Sequence, residues 1–290
     1  MQIYLDGEYV DKSDAKISVF DHGLLYGDGV FEGIRIYNDR VFKLAEHLKR
    51  LYDGAKVLMM DVPIEKDELR EAVLETVRRN KLSDGYIRLV VTRGVGDLGL
   101  NPIKCPKSSI FIVADTIKIY PDEIYKKGMK VITVSTRRNH IEALNPRIKS
   151  LNYLNNIMAT LEVNRTDAQE GLMLNTDGYV TECIVDNLFI VEEGIIVTPP
   201  TSSGALKGVT RDTVIDLARE AGYGVEEKKL TLHEVYICDE SFLTGTAAEI
   251  APVTTVDERM ISDGNPGPIT VDLMKRFKKY ANDSGVEVWG

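Results

Sequence analysis

Lys149 lies in the stretch NPRIKSLNYLNN, after an Asn-Pro turn signal and beside Ile148, without the charged neighbours that usually surround a solvated lysine. The apolar residues that follow, Leu151, Leu154, Ile157, Met158 and Leu161, recur at helical spacing and predict a helix starting near Ser150 with this stripe turned inward. At such a helix start, partial burial and the helix dipole both disfavour an ammonium and leave free amine near neutral pH. Glu182, in YVTECIVDN, shares a strand face with Val180 and Ile184 by the period of two, so it points where apolar residues point. It is either an anion with a chemical task or a carboxylate paired with an arginine. TSSGALKGVTRDTVIDLAREAG places small residues before a helix whose inward stripe is Val214, Ile215, Leu217 and Ala218. Backbone N–H groups of Val209 and Thr210 at that start would suit a phosphate, unless Thr210 simply caps the helix. In FLTGTAAEIAPV, the run Gly245, Thr246, Ala247 and Ala248 lets a ligand come close to the backbone.

An amine, two phosphate-suited turns and an inward anion form the set that pyridoxal 5'-phosphate requires: a Schiff-base partner, phosphate donors and a counterion for the pyridine nitrogen. The remainder of the sequence excludes other classes. Four scattered histidines without ligand spacing argue against a metal site, and a net charge of −9 opposes nucleic-acid binding. Three widely spaced cysteines fit a reducing compartment, and the chain has neither a basic-then-apolar leader nor a membrane-length apolar run. The expected location is the cytoplasm.

The elements that must position these residues read as an α+β chain in two domains. IYLDGEYV and VFEGIRIYNDRVFKL predict hairpins, helices follow around 45–58 and 66–80, and YIRLVVTRG and SSIFIVAD predict strands. The Pro-containing, charge-mixed stretch TIKIYPDEIYKKG reads as a linker, giving a small N-terminal domain over 1–120 and a larger cofactor-binding domain over 121–290. In the second half, strands GLMLN, YVTECIV and NLFIVEEGIIVTPP alternate with helices around RDTVIDLAREAG and TVDLMKRFKKYAN.

RIKSLNYLNN, GYVTECIVDNLFIV, GALKGVTRD and FLTGTAAEIAPV, with FDHGLLYGDGVFEGIRIY and EHLKRLYDGAK before them, resemble the class IV pyridoxal-phosphate aminotransferases, fold type IV, over nearly the whole chain. The resemblance implies the D-amino-acid-aminotransferase-like fold with cofactor at the domain interface. It implies Lys149 as the Schiff-base lysine, Glu182 at the pyridine nitrogen, Tyr153 near the phenolic oxygen and Leu206 against the ring. Arg50, Val209, Thr210 and Thr246 would reach the phosphate; without the family, Arg50 reads as a solvated helix arginine. Cys183 and Val185 stand where many relatives carry glycine, and Lys207 replaces a frequent proline. Tyr86 and Arg88, sharing a strand face, match the tyrosine and arginine of branched-chain enzymes, and with them branched-chain L-amino acids and 2-oxo acids as substrates. Phe31, Tyr26, Ala247 and Thr246 would line the side-chain pocket, and Arg88 would meet the distal carboxylate of glutamate. By the same resemblance the unit is a homodimer or larger, with Leu100 in GVGDLGLNP closing a partner's pocket. Alternatives within the fold are a D-amino-acid aminotransferase and aminodeoxychorismate lyase; from another class, a non-catalytic binder of pyridoxal phosphate or another phosphate ligand.

Overall fold

The computed structural model describes residues 1–117 and 120–289, so Lys118 and Ile119 of the expected linker lie outside the described residues. Among the described residues the strands are β1 (Gln2–Leu5), β2 (Glu8–Asp11), β3 (Gly29–Tyr37), β4 (Arg40–Val41), β5 (Gly85–Thr92), β6 (Ser109–Asp115), β7 (Met129–Thr133) and β8 (Glu170–Leu174). They continue with β9 (Val180–Cys183), β10 (Asn187–Glu192), β11 (Ile195–Thr198), β12 (Val225–Glu227), β13 (Glu240–Gly245), β14 (Glu249–Val256), β15 (Arg259–Met260) and β16 (Val286–Glu287). The helices are α1 (His22–Tyr26), α2 (Leu44–Val57), α3 (Lys66–Asn80), α4 (Asp122–Lys127), α5 (Leu154–Val163), α6 (Val209–Glu220), α7 (Leu232–Ile237) and α8 (Pro268–Asp283). None is long and apolar enough to cross a membrane. Two compact units result, one of Met1–Ile117, Ile148–Tyr153 and Ala281–Gly290, the other of Lys118–Arg147 and Leu154–Tyr280. This division cuts the chain at more places than a single linker near Tyr120 would.

The first unit carries a seven-stranded sheet in the order β16-β4-β3-β5-β6-β1-β2. Its two predicted hairpins form on left-handed residue pairs, Asp6 and Gly7 in one, Asn38 and Asp39 in the other, as tight hairpin turns demand. One face of β3, Val30, Ile34 and Ile36, packs with Leu44, Leu48 and Leu51 of α2 and Leu69, Val73 and Val77 of α3. Each such side chain contributes about 1.5–3 kcal/mol by leaving water. Along the edge of β3 that β4 does not reach, Val30 bridges Ser150; the Phe31 N–H donates to the Lys149 carbonyl at 2.9 Å, and the Leu151 N–H to the Gly29 carbonyl at 2.9 Å.

That pairing corrects the expected helix start. Residues 149–151 give their backbone groups to β3, so they are extended, and α5 begins only at Leu154. The expected inward stripe is also reversed. Leu154, Ile157, Met158 and Leu161 of α5 are 49–64% exposed, whereas Asn156, Ala159 and Val163 are buried.

The second unit carries a nine-stranded mixed sheet, ordered β12-β11-β10-β13-β14-β7-β8-β9 with β15 added on β14. Its central strands, including Leu188 and Ile190 of β10 and Leu243 of β13, are buried on both faces. Helix α6 buries Val214, Ile215, Leu217 and Ala218, the stripe expected from its sequence.

Candidate active site

In the first unit, the extended segment after Ile148 places Lys149 beside β3. Its Nζ donates to the Tyr153 hydroxyl at 3.1 Å and lies 4.6 Å from the centre of the Phe31 ring. The Phe31 and Tyr153 rings meet edge to face at 5.0 Å. The Arg88 guanidinium also lies over the Phe31 ring, 4.5 Å from its centre and 5.6 Å from that of Tyr86. Strand register accounts for the grouping, because Gly33 of β3 pairs with Arg88 of β5 and Arg35 with Tyr86. Gly33 is required there: a Cβ on it would lie 2.0 Å from the Tyr86 hydroxyl. Lys149, Tyr153, Phe31, Tyr86 and Arg88 thus form one cluster. Since α5 starts at Leu154, no helix dipole acts at the start expected for Lys149.

Arg50 is not solvated. Glu32, fully buried in β3, accepts from its Nε and Nη2, each at 2.7 Å, and also from Nδ1 of buried His47 at 2.7 Å. Burial pushes the Glu32 carboxyl up, but Arg50 and His47 overcome this and hold it at about 2. Burial also pushes the His47 ring below its ordinary value, against the attraction of Glu32. Sequence reading missed both residues. Two signals marked them: Glu32 interrupts the alternating apolar stripe of Val30, Ile34 and Ile36, and His47 stands three residues before Arg50 beside inward Leu48.

Tyr26 is tied to the loop that carries Leu100 in this unit. The Tyr26 hydroxyl donates to the Leu98 carbonyl at 2.5 Å, and Leu100 is 77% exposed. Among the described residues, no ring contact or hydrogen bond joins either of them to Phe31, Tyr86 or Arg88.

In the second unit, Glu182 is buried on β9 and paired with an arginine, as one of its two readings held. Its Oε1 accepts from Arg138 Nε at 2.9 Å and forms an ion pair with Nη2 at 2.8 Å; its Oε2 accepts from the Leu206 N–H at 2.9 Å and from Asn187 Nδ2 at 3.2 Å. Arg138 Nη1 reaches Asn156 Oδ1 at 3.1 Å, and Asn187 also donates to the Leu206 carbonyl at 2.9 Å. Arg138 and Asn187 escaped the sequence reading because both act across non-local pairings.

The turn after Leu206 leads into α6, whose N-cap is Gly208 rather than Thr210, with no side-chain cap. The first N–H groups, those of Val209 and Thr210, therefore keep the donor capacity that an anion uses. Gly208 is needed for a close approach, since a Cβ would lie 2.1 Å from Asn187 Oδ1. Thr246 and Ala247 occupy the tight turn after β13, both partly exposed. Cys183 is fully buried while Val185 is 59% exposed, and Lys207 pairs with Asp212 at the start of α6. In the second unit, uncapped helix N–H groups suit a phosphate and a buried carboxylate matched by a guanidinium suits a protonated ring nitrogen; in the first, the lysine amine held against aromatic rings suits an aldehyde, so the chemistry of each unit's residues fits pyridoxal phosphate.

Residues 29–256 match the family model described as amino-transferase class IV. The chain is 52% identical over 289 residues, spanning 100% of it and 99% of the relative, to a Methanocaldococcus jannaschii protein named provisionally as a branched-chain-amino-acid aminotransferase. It is 40% identical over 281 residues to the branched-chain-amino-acid aminotransferase of Pseudomonas aeruginosa, covering 95% and 91% of the two chains. Among solved structures, the Escherichia coli branched-chain amino acid aminotransferase superposes with a TM-score of 0.95 at 37% identity, covering 100% and 97%. The T.th. branched-chain amino acid aminotransferase complexed with N-(5'-phosphopyridoxyl)-L-glutamate gives 0.93 at 37% identity, covering 97% and 94%. With a family match across most of its length and a fold shared at this level of identity, the chain belongs to the class IV aminotransferases.

Proposed function

We propose that the protein transfers amino groups between branched-chain L-amino acids, leucine, isoleucine and valine, and 2-oxoglutarate, using pyridoxal 5'-phosphate carried by Lys149. The observation that carries this reading is the Lys149 amine at 3.1 Å from the Tyr153 hydroxyl and against the Phe31 ring, a setting with a nucleophile, a polar tip and an apolar wall. The names of its relatives support the choice of substrate over the D-amino-acid and lyase readings.

The cofactor supplies an aldehyde for a Schiff base and a ring that takes up the electron pair left when the α-proton departs. The amine of Lys149 takes that proton and returns it, with the Tyr153 hydroxyl orienting Nζ. Glu182, its position fixed by Arg138, Asn187 and the Leu206 N–H, would keep the ring nitrogen of a bound cofactor protonated, and Leu206 would pack against its ring. In the first unit Arg50 would offer donors to the phosphate, and in the second Thr246 and the first N–H groups of α6 at Val209 and Thr210 would do so. Phe31, Tyr86 and Tyr26 of the first unit, and Ala247 of the second, would face the substrate side chain. Arg88, which makes no ion pair among the described residues, is left to meet the distal carboxylate of glutamate.

The active unit is a homodimer or larger, in which Leu100 closes the pocket of a partner. Exposed Ile17, Val19, Phe20 and Leu24 adjoin exposed Val95, Leu98, Leu100 and Ile103 through the Phe20–Gly96 hydrogen bond and the Asp21–Val95 bridge. Such an apolar cluster on the surface of one unit supports a face that a partner covers. Free cysteines suit a cytoplasmic protein. Borohydride reduction followed by peptide mass mapping tests the reading: a pyridoxyl group on Lys149 supports it, and labelling elsewhere or nowhere after reconstitution refutes it.

A further inference from the structure

We propose that Glu32 and His47 are positioning residues for phosphate recognition: together they lock the plane of the Arg50 guanidinium. This rests on the assignment of Arg50 to the phosphate made above. Glu32 occupies a core-facing place on β3 between Val30 and Ile34, where an apolar side chain would pack without desolvating a charge. What the carboxylate provides instead is geometry. Its two oxygens accept from Nε and Nη2 of Arg50, the two-point fork that fixes a guanidinium plane and hence the direction of its remaining N–H bonds.

His47 fixes the carboxylate in turn. Because an ionised carboxylate only accepts, the Nδ1 that lies 2.7 Å from Glu32 Oε2 must carry the ring proton. The ring is buried and brings no net charge, so it holds the Glu32 rotamer without adding to the attraction for an anion. Glu32 and Arg50 cancel as charges. What the trio offers a phosphate is therefore directed N–H groups rather than net positive potential.

Charge alone and positioning then predict opposite signs. Removing the Glu32 charge should strengthen phosphate binding if attraction governs, and weaken it if orientation governs. The apoprotein is titrated with pyridoxal 5'-phosphate and with pyridoxal, and the ratio of the two affinities is read; a general packing defect lowers both and leaves the ratio alone. Glu32→Gln offers one carbonyl oxygen to three donors and is expected to lower the ratio about tenfold, the effect of losing a charge-assisted hydrogen bond. His47→Leu is expected to lower it about threefold, whereas His47→Asn, which retains an N–H donor, restores it. If Glu32→Gln does not fold, Glu32→Asp, which withdraws the fork by one methylene, is read in the same way, a lower ratio supporting the proposal and an unchanged one overturning it. An unchanged or raised ratio in the Glu32 variant, with a lowered ratio in Arg50→Met, overturns the positioning role and leaves the assignment of Arg50 standing. An unchanged ratio in Arg50→Met removes that assignment, and the proposal with it.

Discussion

Arg138→Met would leave Glu182 as a buried carboxylate with its counter-charge gone. In the folded protein, Arg138 gives that carboxylate a hydrogen bond from Nε at 2.9 Å and an ion-pair contact from Nη2 at 2.8 Å, and both residues are under one-tenth exposed. Methionine fills much of the volume but supplies no donor. The Leu206 N–H and Asn187 remain, and neither carries a charge. Removing one member of a buried pair costs about 3–5 kcal/mol, most of it the desolvation of the orphaned charge. The pair itself contributes much less than this relative to neutral residues, so Arg138→Met with Glu182→Gln should recover about 2–3 kcal/mol, a coupling visible in a double-mutant cycle. Urea unfolding of the apoprotein followed by far-UV circular dichroism measures each corner of the cycle. A loss below about 1 kcal/mol for Arg138→Met, or the same loss in the Glu182→Gln background, would refute the reasoning.

Glu32 is held at about 2 in the folded state against an ordinary 4.5, so its contribution is complete above pH 4.5 and is lost as pH falls toward 2. That contribution is roughly 3 kcal/mol, and the depressed His47 pKa adds a loss in the same direction below its ordinary 6.5; unfolding at a series of pH values in wild type and Glu32→Gln checks both. Glu170 behaves in the opposite way: burial, then repulsion from Asp186, raises it to about 8, so its contribution is complete below 4.5 and lost as pH rises through 8. Glu170→Gln, which can still accept from the Gly171 and Ile184 N–H groups, should therefore be more stable than wild type at pH 9 and lose that advantage at pH 5, as paired denaturation curves would show. Gly208→Ala drives a Cβ to 2.1 Å from Asn187 Oδ1 and should cost about 1–3 kcal/mol and weaken cofactor affinity, read from melting and cofactor titration. Arg88→Leu should slow the glutamate half-reaction roughly a hundredfold, about 3 kcal/mol, and leave the leucine half-reaction within about tenfold, as single-turnover absorbance would report.

Local chemistry made much of this fold legible. The Asp6-Gly7 and Asn38-Asp39 turns, the inward stripe of α6 and the strand periods of β3 and β5 each carry their instruction within a few residues. The α5 stripe misleads because periodicity says that Leu154, Ile157, Met158 and Leu161 share a face but not what covers it. Thr210 is a reasonable cap by residue type, yet the backbone turns helical one residue earlier, after Gly208. For the candidate site, residues that act through their own chain position are readable, whereas Arg138, Asn187, Glu32 and His47 act on groups brought near by folding. The misplaced carboxylate in the β3 stripe and the histidine beside inward Leu48 are the traces of that network in the sequence.

The anchoring of residue 149 by main chain alone separates the scaffold from the reagent. Both hydrogen bonds that tie this segment to β3 run between backbone atoms, so they are indifferent to which side chain position 149 bears. Lys149→Ala should therefore keep its fold and leave a vacant slot beside Phe31 and Tyr153, lined by the same groups that hold the amine. A small primary amine added to the buffer has the size and chemistry of what was deleted, and its rate of restoring proton transfer would track its basicity and its bulk. On the proposed assignment Lys149 would act as a tethered reagent whose tether can be cut, and the catalytic advantage of the tether would become a concentration that can be measured.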